Sequence, residues 1–268
     1  MDIIIQALIL AVIQGLTEFL PVSSSAHLIL PSQLLGWPDQ GQAFDVAVHV
    51  GTLMAVVTYF NHDIRRMLGG MVTGMQTRQM NQDLSLAFAV VIGTIPAVVF
   101  GGLFSGFIEE NLRSSFVIAL TTIIFGLLLW ASDRKANTGF DLARMTLTLA
   151  LVIGFAQAIA LIPGTSRSGI TMTAALFLGF NRVAAARFSM LLSIPIIVAA
   201  GTLETVKLAS SGMEVPWNLM ILGILASAFS AFLCIHLFLT LLERIGMTPF
   251  VIYRLLLGAG LLVFVGLN

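Results

Sequence analysis

Long apolar runs alternate with short polar breaks along this chain. The runs cover 85–107, 115–132, 146–162, 188–203, 217–242 and 249–267, and the breaks fall at 36–43, 61–84, 108–114, 133–145, 204–216 and 243–248. The apolar positions are continuous rather than alternating, which favours helices over the strands of a β-barrel. A helix crosses a bilayer with about 20 apolar residues, so several runs are long enough to span. The predicted class is an all-α polytopic membrane protein with about six full transmembrane helices.

Two stretches do not fit as simple crossings. Residues 3–19 are apolar but meet Pro21, and the next apolar stretch, 26–35, holds Pro31; likewise 146–162 ends at Pro163-Gly164, followed by a polar start and then TAALFLG. Broken helices at membrane depth are tolerated where they line a polar cavity. Both are expected to be re-entrant helix pairs. PVSSSAH (21–27) can be laid on PGTSRSG (163–169), bringing Ser24 onto Ser166. FDVAVHVGTLMAVVTYF (44–60) falls on FSMLLSIPIIVAAGTLE (188–204), and FVIALTTIIFGLLLW (116–130) on FVIYRLLLGAGLLVF (250–264), with Gly126 against Gly260. The expected organisation is a single membrane domain, 1–268, made of a first repeat (1–132), a cytoplasmic linker (133–145) and a second repeat (146–268). Three crossings per repeat would invert the second half. Inverted repeats of broken helices place a site near the midplane, where the interruptions meet. Residues 18–27 should then face 165–171.

Composition strengthens the membrane assignment and narrows the partners. Of 268 residues 58% are apolar and 10% charged, the formal net charge is zero, and the mean hydropathy is +1.00. No basic surplus suggests nucleic acid. Arg65, Arg66 and Arg78 lie in one break, and Arg134, Lys135 and Arg144 in another. Arg113 and Lys207 are alone in 108–114 and 204–216. The positive-inside rule puts 61–84 and 133–145 in the cytoplasm and the other two outside. Arg182 and Arg187 flank a span, where headgroup contact is the default. MDIIIQALIL lacks the basic start of a signal peptide and is expected in the mature protein. Cys234 is expected to pack.

The two breaks hold the candidate chemistry. Gln14 and Glu18 share a helix face, Pro21 stops that helix, and Ser23, Ser24 or Ser25 can cap the next. His27 follows Ser24 by three positions, within side-chain reach. In the second break, Ser166, Arg167, Ser168 and Thr171 gather hydroxyls and a guanidinium at a helix start. Helix N-termini and a forked arginine are what phosphate oxygens require. The inferred ligand is a phosphate-bearing anion. Glu18 makes sense there if it holds a divalent cation, Mg²⁺ or Ca²⁺, or acts as an acid. Ser24, His27 or water could attack phosphorus. Arg254, five residues into the last span, reaches either phosphate or the membrane boundary, and His49 lines the cavity or packs between helices. The bland alternatives are a structural Glu18–Arg167 ion pair and serines that merely cap or join helices.

QGLTEFLPVSSSAH (14–27) and PGTSRSGIT (163–171) resemble the paired signatures of the undecaprenyl-diphosphatase family, the bacterial bacitracin-resistance proteins. The resemblance covers nearly the whole chain. It implies removal of the terminal phosphate from a C55 isoprenyl diphosphate, a divalent metal, and a site opening toward the periplasm of a bacterial inner membrane. It implies an acidic role for Glu18, a nucleophile or base at Ser24 and His27, and phosphate binding by Ser166, Arg167, Ser168 and Thr171. Gln14 departs from the pattern, since a glutamate is common there, so Glu18 would hold metal alone or with the Gln14 carbonyl. The partners so implied are a polyprenyl diphosphate and membrane lipids; a homodimer is compatible with this reading. A transporter or flippase of a phosphorylated lipid is the rival, because inverted repeats with midplane sites are also the transporter plan.

Overall fold

Two proline-containing interruptions set the path of the chain before any packing is considered. The computed structural model describes residues 3–38, 40–135, 139–211 and 216–267. Parts of the breaks 36–43, 133–145 and 204–216, and both chain ends, lie outside the described residues. Helix α1 (Ile3–Thr17) stops, turns through Pro21 and restarts as α2 (Ser24–Leu35). There follow α3 (Gly41–Tyr59), α4 (Asn61–Thr77), α5 (Gln82–Asn111) and α6 (Ser115–Lys135). The second interruption separates α7 (Leu147–Ile159) from α8 (Arg167–Phe177), and α9 (Arg182–Ser211), α10 (Trp217–Ile245) and α11 (Thr248–Leu267) complete the chain. Helices α3, α5, α6, α9, α10 and α11 are long and apolar enough to cross a membrane, whereas α1 and α7 are apolar but shorter. The protein is all-α and multi-pass, as the hydropathy pattern predicts.

Helix α4 was hidden in the sequence. Its segment reads as a polar break because only Met67, Gly70 and Gly74 are buried. The helix lies against the start of α5, where Asn81 accepts from Leu84 N at 2.8 Å and donates to Gly70 O at 3.1 Å.

Small residues let the broken helices press against full crossings. A Cβ on Gly15 of α1 would sit 2.0 Å from Ser230 Oγ of α10, and one on Gly154 of α7 would sit 2.4 Å from Gly93 O of α5. Ion pairs order one end of the bundle. Arg187 reaches Asp63 at 2.8 Å, Arg182 reaches Asp133 at 2.5 Å and Arg66 reaches Asp83 at 2.8 Å. These contacts gather the basic breaks 61–84 and 133–145 at the same end, and Arg182 and Arg187 take acidic partners where headgroups were expected. At the opposite end Gln42 donates to Glu204 at 2.7 Å.

Arg254 holds the two interruptions together. It is fully buried, and its guanidinium donates to Pro21 O (3.2 Å) in the first turn and to Gly164 O and Thr165 O (3.0 Å each) in the second. It also reaches Thr122 O on α6 at 3.1 Å. Arg254, expected to bind substrate or reach the membrane boundary, here commits its donors chiefly to backbone carbonyls of both turns and α6, a bracing position. Each buried acceptor left without a donor costs about 1–3 kcal/mol. Arg254→Met is accordingly expected to lower the thermal midpoint and the monodisperse fraction in detergent sharply, with Arg254→Lys intermediate. A wild-type melting curve for the methionine variant would refute the clamp.

Candidate active site

Both restarts begin with a serine in the left-handed region, Ser23 at φ 73° and Ser166 at φ 71°. Non-glycine residues adopt that region rarely and at a cost of order 1–3 kcal/mol, mostly at functional turns. The structure thus equates Ser23, not Ser24, with Ser166, and the expected alignment shifts by one position. The same step along the chain carries Ser24 onto Arg167 and Ser25 onto Ser168. It also matches a pair of contacts, Ser23 Oγ to Ser25 Oγ at 3.3 Å and Ser166 Oγ to Ser168 Oγ at 3.2 Å.

The two turns meet, as the sequence predicts. Arg167 Nη2 lies 3.0 Å from Glu18 Oε1, and Ser168 Oγ donates to Leu20 O at 2.7 Å. Glu18 is buried; its Oε2 accepts from Ser24 Oγ at 2.7 Å and from Gln14 Nε2 at 2.9 Å. Arg167 is held from the other side by Ser189 O, 2.9 Å from Nη1. Ser189 Oγ lies 2.7 Å from Thr171 Oγ1, which donates to Arg167 O at 2.8 Å. Ser166 Oγ caps α8 by accepting from Gly169 N at 3.1 Å. The buried hydroxyls of Ser166, Ser168 and Thr171 therefore stabilise the turn that presents Arg167. Ser24 is half-buried and Ser25 exposed, so the start of α2 is the accessible part of the site, while α8 begins among buried residues with only Arg167 half-buried.

His27 is not where the sequence reading put it. Its ring does not meet Ser24. Nδ1 lies 2.7 Å from Ser23 O and Nε2 faces the Tyr253 hydroxyl, with the two rings stacked at 5.6 Å between centroids. The α2 register turns Ser24 toward Glu18 and His27 toward α11. The imidazole beside the carboxylate is instead His49 of α3. Its Nδ1 bonds Asp45 O at 2.7 Å, and its Nε2 lies 3.8 Å from Glu18 Oε2. A mid-span histidine was the available signal. Nothing in the spacing distinguished packing from lining. Ser189 and Tyr253 gave no signal in the apolar runs around them.

The arrangement can activate a hydroxyl. Ser24 donates its proton toward a buried carboxylate, and that carboxylate is fixed by a guanidinium able to bind phosphate. As a resident metal cage it is thin: among the described residues no group of three or more His, Cys, Asp or Glu could hold an ion. Gln14 Oε1 is buried without a hydrogen-bond partner, so the pocket offers the Glu18 carboxylate, this orphaned carbonyl oxygen and, 3.8 Å from the carboxylate, His49 Nε2.

A family model for bacitracin resistance protein BacA matches residues 7–260. The chain belongs to the BacA family. An undecaprenyl-diphosphatase of Alcanivorax borkumensis is 61% identical over 257 residues, 96% of this chain and 97% of the relative. An undecaprenyl-diphosphatase of Chromohalobacter salexigens is 61% identical over 256 residues, with the same two shares. A third from Hahella chejuensis is 60% identical over 260 residues, 97% of each chain. Both polar turns lie inside the region that the BacA model matches.

Proposed function

We propose that this chain hydrolyses undecaprenyl diphosphate to undecaprenyl phosphate and inorganic phosphate, recycling the lipid carrier used in peptidoglycan synthesis. The observation that carries the reading is Ser24 Oγ donating at 2.7 Å to Glu18, which Arg167 holds at 3.0 Å. It agrees with the activity named for the BacA relatives. Ser24 Oγ attacks the terminal phosphorus as its proton passes to Glu18. The phosphoanhydride bond breaks, and undecaprenyl phosphate leaves with the bridging oxygen. Water then cleaves the phosphoserine, its proton returning through Glu18 and the serine oxygen regaining one. Arg167 and the starts of α2 and α8 stabilise charge on the transferred phosphoryl oxygens. Ser23 and Ser25 border the same opening, and His27 with Tyr253 forms its α2–α11 wall.

A divalent cation, Mg²⁺ or Ca²⁺, fits this pocket as a companion of the diphosphate: Glu18 and Gln14 Oε1 would hold it, the phosphates would complete its shell, and it would neutralise charge on their oxygens. The location proposed is the bacterial inner membrane, with the basic end of the bundle cytoplasmic by the positive-inside rule. The site opens on the periplasmic side. The inverted repeat belongs to the same reading. Its support is the step that relates Ser23 to Ser166, and the reciprocal seating of α1 on α10 and α7 on α5.

Detergent-purified protein is expected to release phosphate from C55 diphosphate with no gradient present. Arg167→Ala should lower turnover by about 10³-fold or more and also lower the thermal midpoint, since Glu18 Oε1 and Ser189 O lose their donor, whereas Ser24→Ala should lower turnover by a similar factor with a nearly unchanged melting curve. Acid-quenched wild-type protein should carry phosphate on Ser24. Turnover by Ser24→Ala near the wild-type rate would exclude the serine as nucleophile. For the cation, Gln14→Glu adds a second carboxylate and should lower the half-activating Mg²⁺ concentration. An unmoved titration would assign the ion to other ligands.

A further inference from the structure

An apolar cavity of about 310 Å³ runs between α3 and α9, lined by Val46, Val50 and Leu53 on one side and Ile197, Val198 and Val206 on the other. His49 also lines it, and the same ring lies 3.8 Å from Glu18. Thr202 and Thr205 also line it, but their hydroxyls donate to Val198 O at 2.7 Å and Gly201 O at 2.6 Å on their own helix. They therefore turn methyl groups to the cavity, and its polar contribution is concentrated at His49. A groove that is apolar along its length and polar where it meets a phosphate-binding turn suits an amphiphile with one charged head. It lies toward the Gln42–Glu204 end of the bundle, away from the basic breaks, and its walls face the lipid.

Two other cavities do not suit such a chain. One is lined by charged groups, among them Asp63, Arg66, Asp83, Asp141, Arg187 and Glu243. The other lies against Trp37, Gln40, Asp45 and Arg113. None of the three is lined by Glu18, Ser24 or Arg167, but of these only the α3–α9 cavity is lined by His49, which lies 3.8 Å from Glu18.

We propose that the α3–α9 groove is the subsite for the first isoprene units of the lipid substrate, and that His49 marks the boundary between prenyl chain and diphosphate. This rests on the phosphatase reading above. It adds a tail site on a defined helix pair, which steers the terminal phosphate toward Ser24 while the remainder of the chain stays in the bilayer.

Gly201 makes the test clean. It lines the groove, and a Cβ added there meets nothing within 4 Å, so a large side chain fills the cavity without striking the backbone. Gly102 on α5 is equally open and lies outside the groove, which makes Gly102→Trp a matched control for added bulk. Gly201→Trp is expected to raise KM for C55 diphosphate by about tenfold or more, the scale of a mismatched apolar pocket, with kcat less affected. The deficit should shrink as the prenyl chain is shortened to C5, and Gly201→Leu should give a smaller effect of the same kind. Equal KM values for the Gly201→Trp and Gly102→Trp variants would overturn the groove and leave the phosphatase reading intact. Wild-type protein that releases no phosphate would overturn both. A prenyl diphosphate carrying a photoreactive group in its first isoprene units reads the subsite without turnover. Labelled peptides should come from α3 and α9, and labelling confined to α2 and α11 beside His27 and Tyr253 would refute the assignment.

Discussion

Arg254 and the two broken turns solve one another's electrostatic problem. A turn between broken helices at membrane depth leaves backbone carbonyls without donors, and a buried guanidinium needs acceptors. Here Pro21 O from one turn, and Gly164 O and Thr165 O from the other, converge on a single arginine. Neutral dipoles, rather than a carboxylate, compensate its charge. This buried side chain ties the two turns together alongside the Ser168–Leu20 contact, and between the turns so held Glu18 and Arg167 lie 3.0 Å apart. Arg254 touches none of the proposed reacting groups, yet it bonds both of the turns that carry them.

What was legible in the sequence follows from energy scales. A crossing requires a long apolar run, and α3, α5, α6, α9, α10 and α11 all declared themselves that way. A carboxylate, a guanidinium and several hydroxyls at membrane depth are costly enough to stand out, so Glu18, Ser24 and Arg167 were found and correctly brought together. Hydropathy does not report which polar atom faces which. Arg254 stood out for the same reason as Arg167, but its partners are backbone carbonyls, which no residue pattern displays. The α2 helix begins one residue after a strained serine, and that phase sends Ser24 to Glu18 and His27 to Tyr253. A one-residue difference in where a helix starts rotates every side chain on it by about 100°. The position of His49 beside Glu18 depends on the seating of α3, a tertiary fact. Helix α4 escaped notice because it buries mainly glycine, which leaves no apolar stripe.

Strain and satisfaction are divided between the two turns in a consistent way. Ser23 and Ser166 both take backbone angles that other residues avoid, and both open a helix toward the pocket. Ser166 is fastened by its own cap to Gly169 N, while the Ser23 side chain makes no cap bond to α2. The α8 start is thus tied down and presents a guanidinium braced by Ser189. The α2 start is less tied and presents the hydroxyl proposed to react. Such a division suits phosphoryl transfer, in which the charge-stabilising group must be fixed in advance and the nucleophile must follow phosphorus as bonds change.

On the proposed repeat, the chemistry depends on where the halves differ. The step that carries Ser23 onto Ser166 carries Gln14 onto Gln157, and both glutamines are buried with an unpartnered Oε1. The same step carries Glu18 onto Leu161, whose methyl Cδ2 lies 3.5 Å from the Cβ position of Gly101 on α5, and Ser24 onto Arg167. A symmetric pocket would hold either two carboxylates, which repel each other and any phosphate, or two guanidinium groups with no base between them. One carboxylate and one arginine leave the resting pocket close to neutral, with the serine proton already directed at its acceptor.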